Sequence, residues 1–443
     1  MSDTGASSAL DVIARLEAES GKPLSAMLEL SDRCNEVCVH CYQVQGQKGE
    51  LGTGDWRRIL DQLAEAGVLL LTLSGGEVTL RKDFLVILAY ARERGFVLRI
   101  FTNGLTMTQE LAGQLAEHQV MEVEISLYSS RAEVHDFVTG VPGSFDKTVR
   151  GIRYLRERGV SVTIKAVMMN VNQADLPDYP AFAASLGAHY RIDTGGVVPR
   201  EGCDREPQAL NPERERVDQL LRQLRTEAGA RTAVARAQTT GLRAASRRVC
   251  GAAQAMHVEP NGEMRPCTLL EVNLGDTRDQ TPAQIFESDV ARGVRGLRWG
   301  DVHGCRVCEL ASRCARCHAV ALAETGDALA PYPSACEKAR AAAQIARSMA
   351  DDGGTLRFVA AGSRPIALGP YRLIAPDLYE AFDEPKKPED DALAQRLGWV
   401  RRPEAGKHSP DLAVRPGELI QIRRPGKSSK LERVPGLGDQ ARK

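Results

Sequence analysis

Three stretches of this chain share one shape: AEAGVLLLTLS at 64–74, RERGFVLRIFT at 92–102 and RERGVSVTIKA at 156–166. In each, a charged helical run stops at a glycine able to take the left-handed conformation that ends helices. A short β-branched, apolar strand follows at once. The helices ahead of the glycines set Leu60, Leu63 and Ala64, or Phe84, Leu88 and Ala91, along one face that packs on a sheet. Further strands read at 24–31, 120–127 and 188–193. Strands alternating with helices at this pitch predict a parallel sheet with functional loops at the strand C-terminal ends. About six units fit between residues 24 and 195, short of the eight of a closed barrel, so the expected class is α/β with an open, partial (β/α)6 barrel.

The remaining segments read differently. Residues 1–23 hold one helix, at 8–18, and residues 196–249 form a helical connector. Its cap is Asn211, its first turn carries Pro212, and Val217, Leu220, Leu221 and Leu224 make its apolar face. Residues 250–350 contain seven cysteines and few long periodic runs before a helix at 337–350. Such a stretch buries little core and relies on metal. Residues 351–443 carry 10 of the 22 prolines, with short strands expected at 355–360 and 418–423 and a disordered end.

Lys plus Arg and Asp plus Glu are both 58, so no global field draws in nucleic acid. The start, MSDTGASSALDV, has neither the cationic nor the apolar region of a signal peptide. The longest apolar run, Val68 to Leu73, is far below the roughly 20 residues of a membrane span. The chain is therefore expected in the cytoplasm, with no membrane or nucleic-acid partner. Disulfides are rare there, and the 11 cysteines point to metal binding or thiol chemistry.

Three of those cysteines, Cys34, Cys38 and Cys41, fall in the loop after the first strand. A cubane iron–sulfur cluster has four irons, and an electron carrier normally gives each a thiolate. Three thiolates leave one iron open to a molecule that is not protein, which turns an electron carrier into a catalyst. A zinc or structural site completed by a ligand from elsewhere is the competing reading.

The C-x3-C-x2-C spacing with Tyr42 behind it, followed by Ser74-Gly75-Gly76-Glu77 at the end of the second strand, resembles the radical S-adenosylmethionine (AdoMet) superfamily. Thr102-Asn103-Gly104 and Ser126, at the ends of the third and fourth strands, strengthen the likeness. The resemblance implies that a catalytic 4Fe-4S cluster binds AdoMet and cleaves it to methionine and a 5′-deoxyadenosyl radical, which abstracts a substrate hydrogen. By position, the Gly75–Glu77 backbone would hold the methionine amino group, Ser126 would lie near the carboxylate and His40 by the adenine. Glycine lets backbone approach a ligand closely. Plainer roles compete: a loop position for His40, a turn cap for Ser126. Lys165, near the end of the fifth strand, is a candidate for AdoMet carboxylate or substrate, or a snorkelling rim lysine.

The later cysteines run Cys250, Cys267, Cys305-x2-Cys308-x5-Cys314-x2-Cys317 and Cys336. They resemble the SPASM extension, whose seven-cysteine signature binds two auxiliary 4Fe-4S clusters in radical AdoMet enzymes that mature ribosomal peptides and proteins. One departure is that two residues, not the usual three, separate Cys314 from Cys317. The resemblance gives Cys305, Cys308, Cys314 and Cys336 to the outer cluster and Cys250, Cys267 and Cys317 to the inner one. The inner cluster is one thiolate short, to be filled by Cys203, a non-cysteine ligand, water or substrate. The CxxC pairs taken alone are also zinc spacing.

Cys203, in VVPREGCDRE, reads as a plain loop cysteine, a cluster ligand or a hydrogen-atom donor, and Asp193 as a substrate base or a capping residue. The leading expectation is a radical AdoMet/SPASM enzyme that abstracts hydrogen from a peptide or protein, ending in a crosslink, oxidation or epimerisation. An electron donor such as flavodoxin or ferredoxin is implied. With about 23 residues ahead of the first strand, leader-peptide recognition falls to a separate protein or to the Pro-rich end. The rivals are a dehydrogenase or epimerase of a small molecule such as a sugar or aminocyclitol, and a non-catalytic metal-stabilised scaffold.

Overall fold

The computed structural model describes residues 9–43, 46, 49–194, 197, 210–212, 216, 217, 219, 220, 223, 248–306, 308–311, 314–340 and 343. Strand and helix alternate through the first half: α1 Ala9–Ser20, β1 Ser25–Glu29, α2 Thr53–Glu65, β2 Leu70–Ser74, α3 Phe84–Glu93, β3 Val97–Thr102, α4 Gln109–Glu117 and β4 Glu122–Ser126. After α5 Ala132–Thr139 and α6 Ser144–Glu157 come β5 Ser161–Val167, α7 Tyr179–Ser185 and β6 His189–Asp193. The described residues within 28–53 and 71–212 form one compact unit, and those within 1–27, 54–70 and 213–401 another.

Each expected helix-to-strand junction closes in the same way. Gly67, Gly95 and Gly159 all have φ between 75° and 87°. Each is followed by a residue whose N–H returns to the carbonyl of the last helical turn: Val68 to Leu63, Phe96 to Ala91 and Val160 to Leu155. This is the six-to-one bond of a left-handed helix stop. The junction before β4 uses it as well, with Gln119 at φ 53° and Val120 bonded to Leu115. A glutamine marks no turn, which is why that unit is less visible in the sequence.

The strands run in the order β6-β5-β4-β3-β2-β1, with β3 to β6 mutually parallel. The open, partial barrel is the architecture expected. Parallel partners share a face, so Val123, Ile125, Val162 and Ile164, all fully buried, lie on one side. The other side of the same strands carries Glu124, Ser126, Thr163 and Lys165. One face packs, and the opposite one is chemical.

In the second unit β7 Met256–Val258, β8 Glu263–Arg265 and β9 Gly275–Asp276 form an antiparallel meander. Short helices follow: α8 Pro282–Phe286, α9 Asp289–Gly296 and α10 His318–Thr325, and residues 333–340 and 343 are helical. Thr281 and Gln284 build a reciprocal capping box on α8, and Ser288 caps α9. No helix among the described residues is long and apolar enough to cross a membrane. The strands expected at 355–360 and 418–423, the disordered end, and most of the 196–249 connector lie outside the described residues.

A Cβ added at Gly67, Gly95 or Gly159 meets nothing within 4 Å. Replacing any of them with Ala therefore costs only the left-handed backbone, about 1 kcal/mol each. Urea midpoints of the single variants and the triple should fall in additive steps.

Candidate active site

The loop after β1 carries Cys34 and Cys41, both half-buried, and Cys38, buried. It is pinned from the end of α5: the Val37 N–H donates to the Thr139 carbonyl and the Val39 N–H to that of Val138, each at 2.9 Å. Cys38 and Val39 pack with Tyr128, Val138 and Met169. The Tyr128 ring meets His40 edge-on at 4.7 Å between centroids and stacks on His135 at 5.6 Å. Its hydroxyl hydrogen-bonds with Ser126. His135 is fully buried, its Nδ1 accepts the Tyr128 N–H at 3.2 Å, and burial depresses its pKa to about 4, so it is neutral. Asn172, also fully buried, donates to the Tyr128 and Val167 carbonyls and ties the ends of β4 and β5 together. Tyr42 is half-buried beside the loop.

Burial pushes the Cys34 thiol up to about 12 and Cys38 well above its ordinary value, and the charges of the other loop cysteines add to the rise. Glu36 is pushed to about 8, chiefly by burial, and accepts a hydrogen bond from Cys38 at 3.2 Å. Thiols this buried do no nucleophilic work at neutral pH. They ionise only against a cation, as a cluster iron provides, and the donor set suits it. Among the described residues no three His, Cys, Asp or Glu side chains are close enough to hold one metal ion. A cubane takes its thiolates on separate irons.

Ser74, Gly75, Gly76 and Glu77 are zipped to this loop through backbone. The Leu30 N–H donates to the Ser74 carbonyl (2.8 Å), Gly76 N–H to Ser31 (2.7 Å) and Glu77 N–H to Arg33 (2.8 Å). A Cβ on Gly75 would stand 2.5 Å from the Ser31 carbonyl oxygen, and one on Gly76 2.5 Å from that of Arg33. The two glycines are thus required by the close approach of two protein backbones, a reason that the sequence did not show. The Glu77 carboxylate, 1% exposed, accepts from Thr79 N–H (3.0 Å), the Thr102 hydroxyl (2.7 Å) and Asn103 N–H (2.7 Å). Asn103 in turn donates to Asn35 at 2.7 Å and lies 3.8 Å from the Cys34 sulfur. The ends of β1, β2 and β3 converge on the cysteines. Arg81, unremarked in the sequence, braces them by donating to the Leu30 and Leu51 carbonyls.

On the chemical face of the sheet, Glu124 is fully buried among three cations: Lys165 at 2.9 Å, Arg99 at 3.2 Å and Arg191 at 3.9 Å. Lys165 also stands 3.5 Å from the Phe101 ring centroid, and burial lowers its pKa. It is an inward, paired lysine, not one reaching out from a rim. Ser126 and Lys165 are register partners, as are Lys165 and Arg191. Asp193 ends β6 on the same face as Val167 and is exposed. Cys203 lies outside the described residues.

In the second unit the remaining cysteines influence one another electrostatically. Burial is the main cause of every shift, taking Cys267 and Cys305 to about 11 and Cys314 to about 12. Beyond burial, Cys267 feels Cys317 and Cys250, whereas Cys314 feels Cys305, Cys336 and Cys308. Cys250 likewise feels Cys317, and Cys336 feels Cys308.

Residues 28–182 match the family model of the Radical SAM superfamily, and residues 250–318 match that of the SPASM iron–sulfur cluster-binding domain. A PqqA peptide cyclase of Xanthomonas campestris pv. campestris is 30% identical across 73% of this chain and 89% of its own length. The chain is a radical SAM/SPASM enzyme. An AdoMet-dependent heme synthase of Methanosarcina barkeri is 28% identical over 71% of this chain and 97% of its own. The solved structure of native anSMEcpe with bound AdoMet shares the fold, with a TM-score of 0.60 and 17% identity, covering 75% of this chain and 99% of that one. The cofactors of the enzyme are 4Fe-4S clusters and AdoMet.

Two outcomes follow from this geometry. Gly76→Ala should force the first two loops apart and remove about a third of the iron, roughly four of twelve atoms, as measured by colorimetric iron analysis. His135 is neutral when folded and protonated when unfolded at mildly acid pH. Its contribution is present above about 6.5 and lost as the pH falls toward 4. His135→Asn, which keeps an acceptor without titrating, should flatten the fall in melting temperature between these pH values.

Proposed function

We propose that this enzyme modifies a peptide or protein, abstracting a hydrogen from it on the way to a crosslink, an oxidised residue or an epimerised centre. The observation that carries the reading is one chain joining the braced three-cysteine loop to a SPASM iron–sulfur segment. Kinship to a PqqA peptide cyclase across 89% of that relative supports a peptide substrate. A sugar or aminocyclitol is not favoured, and the scaffold reading falls with membership of an enzyme family.

Cys34, Cys38 and Cys41 would hold the catalytic cluster. Cys305, Cys308, Cys314 and Cys336 would hold one auxiliary cluster, and Cys250, Cys267 and Cys317 the other. When bound, cluster and AdoMet supply a 5′-deoxyadenosyl radical able to take a substrate hydrogen, and the auxiliary clusters supply a sink for the remaining electron. The protein's own part is placement. The Gly75–Glu77 backbone would hold the methionine amino group, Ser126 would lie near its carboxylate and His40 by the adenine, with Tyr42 a further cofactor-binding residue. Lys165, held by Glu124, orients a carboxylate of AdoMet or substrate. Asp193 takes a proton from the substrate, and Cys203 is kept as hydrogen donor or inner-cluster ligand.

The domain division proposed is an N-terminal helix at 1–23, the barrel at 24–195, a connector at 196–249, the SPASM domain at 250–350 and an extension at 351–443. A flavodoxin- or ferredoxin-like donor, a separate leader-recognition protein and a cytoplasmic location complete the proposal.

The test is to reconstitute the enzyme without oxygen and add AdoMet, reductant and the peptides encoded beside its gene. Formation of 5′-deoxyadenosine together with a mass change in a peptide is expected, and both should vanish in Cys34→Ala. Turnover on a tetrapyrrole but on no peptide would overturn the substrate class, in line with the heme synthase kinship.

A further inference from the structure

Arg316 stands between Cys314 and Cys317, the ligands that the two sets of auxiliary cysteines place nearest each other in sequence. The shortened spacing leaves it only Ala315 for company there. A guanidinium is seldom buried, yet Arg316 is 3% exposed. Its terminal nitrogens are pinned: one donates to the Ala328 and Ala330 carbonyls at 2.6 and 2.7 Å, the other lies 2.9 Å from the His318 Nδ1. His318 is 2% exposed, and burial holds its pKa near 3, so the imidazole is neutral; its Nδ1 also lies 2.9 Å from the Ala328 carbonyl oxygen. The Tyr332 ring lies 5.7 Å away, and the Tyr332 hydroxyl accepts the Cys317 N–H at 2.8 Å.

Two facts remain that these contacts do not explain. The Arg316 Nε is buried and has no hydrogen-bond partner. Nor does a carboxylate pair with this charge among the described residues, although a buried cation needs an anion. What surrounds it is thiols. Cys314 of the outer set precedes it by two residues and Cys317 of the inner set follows it directly. Cys305 is within hydrogen-bonding reach of it.

We propose that Arg316 is the fixed cation facing both auxiliary clusters, donating its Nε–H to cluster sulfur and raising their reduction potentials. This rests on the reading of these cysteines as cluster ligands. A four-thiolate cluster is an anion that gains a further negative charge on reduction, so a buried cation beside it favours the reduced form. Hydrogen bonds to the sulfurs act in the same direction. Because guanidinium does not lose its proton, the effect is independent of pH. The consequence is that the auxiliary clusters become better acceptors for an electron leaving the substrate.

The experiment is an EPR-monitored redox titration of the reconstituted enzyme with Arg316→Gln and Arg316→Lys, iron being counted in each. Arg316→Gln should lower the midpoint potential of at least one auxiliary cluster and leave the catalytic cluster unmoved. Arg316→Lys, which keeps the charge, should stay closer to the parent. Unmoved potentials in Arg316→Gln with full iron would overturn the proposal. Should that variant lose its auxiliary iron, pulsed EPR of the unmutated enzyme grown on ¹⁵N-arginine decides. A nitrogen coupling to a reduced auxiliary cluster that disappears in Arg316→Lys supports the proposal, and no coupling refutes it. A parent enzyme holding only about four irons would instead sink the cluster reading itself.

Discussion

Glu77 is the residue on which the catalytic face depends. Its carboxylate is out of water and accepts hydrogen bonds from the two residues that end β3, while its own N–H reaches the loop that carries the cysteines. A buried carboxylate left unpaired is costly, so the three strand ends are locked in relation to one another by the need to satisfy it. The glycines before it let this happen: with Cβ atoms at 75 or 76 the backbones could not approach, and the carboxylate would not reach its partners. Rigidity at the mouth of the barrel therefore comes from a polar knot. The hydrophobic layer lies on the other face of the sheet.

The same logic extends down the chemical face. Glu124 is fully buried and would be untenable alone, but the alternation of the strands brings Arg99, Lys165 and Arg191 around it. Lys165 is thereby held over Phe101 rather than free to sample solvent. Toward the strand ends the polar ladder passes into the Ser126–Tyr128–His135 group, which supports the cysteine loop from beneath. Side chains that touch a substrate group here would be preorganised by neighbours already satisfied.

How much of this the sequence disclosed depends on the range of the interaction. Local chemistry was readable: the glycine stops at 67, 95 and 159, the strands behind them, and a cysteine spacing whose ligand geometry is short-range. The stop at Gln119 was obscured because its conformation is imposed by the surrounding helix and strand rather than by the residue itself. Tyr128, His135, Asn172 and Arg81 carry no spacing signal, since each has a partner between 7 and 51 positions away besides any nearer ones. The packing duty of Gly75 and Gly76 was hidden for the same reason. Nothing in a linear pattern distinguishes a glycine that admits a ligand from one that admits another stretch of chain.

The two cysteine regions are held in different ways. The catalytic loop is held by backbone bonds from Thr139, Val138, Ser31 and Arg33, all made by protein alone. There the fold prepares the cluster site. All the auxiliary cysteines but Cys336, which is helical, lie instead outside the regular elements, some of which are as short as the two residues of β9 and the three of β7 and β8. That region also buries charge: Glu259 is fully enclosed with Arg265 at 2.9 Å, and Arg316 is nearly so. Met256, Val258, Met264, Ile285, Phe286 and Trp299 are buried there all the same, so thiolate–iron bonds would add to an apolar core rather than replace one. Arg316 meets the cost of its burial in part through the carbonyls of Ala328 and Ala330.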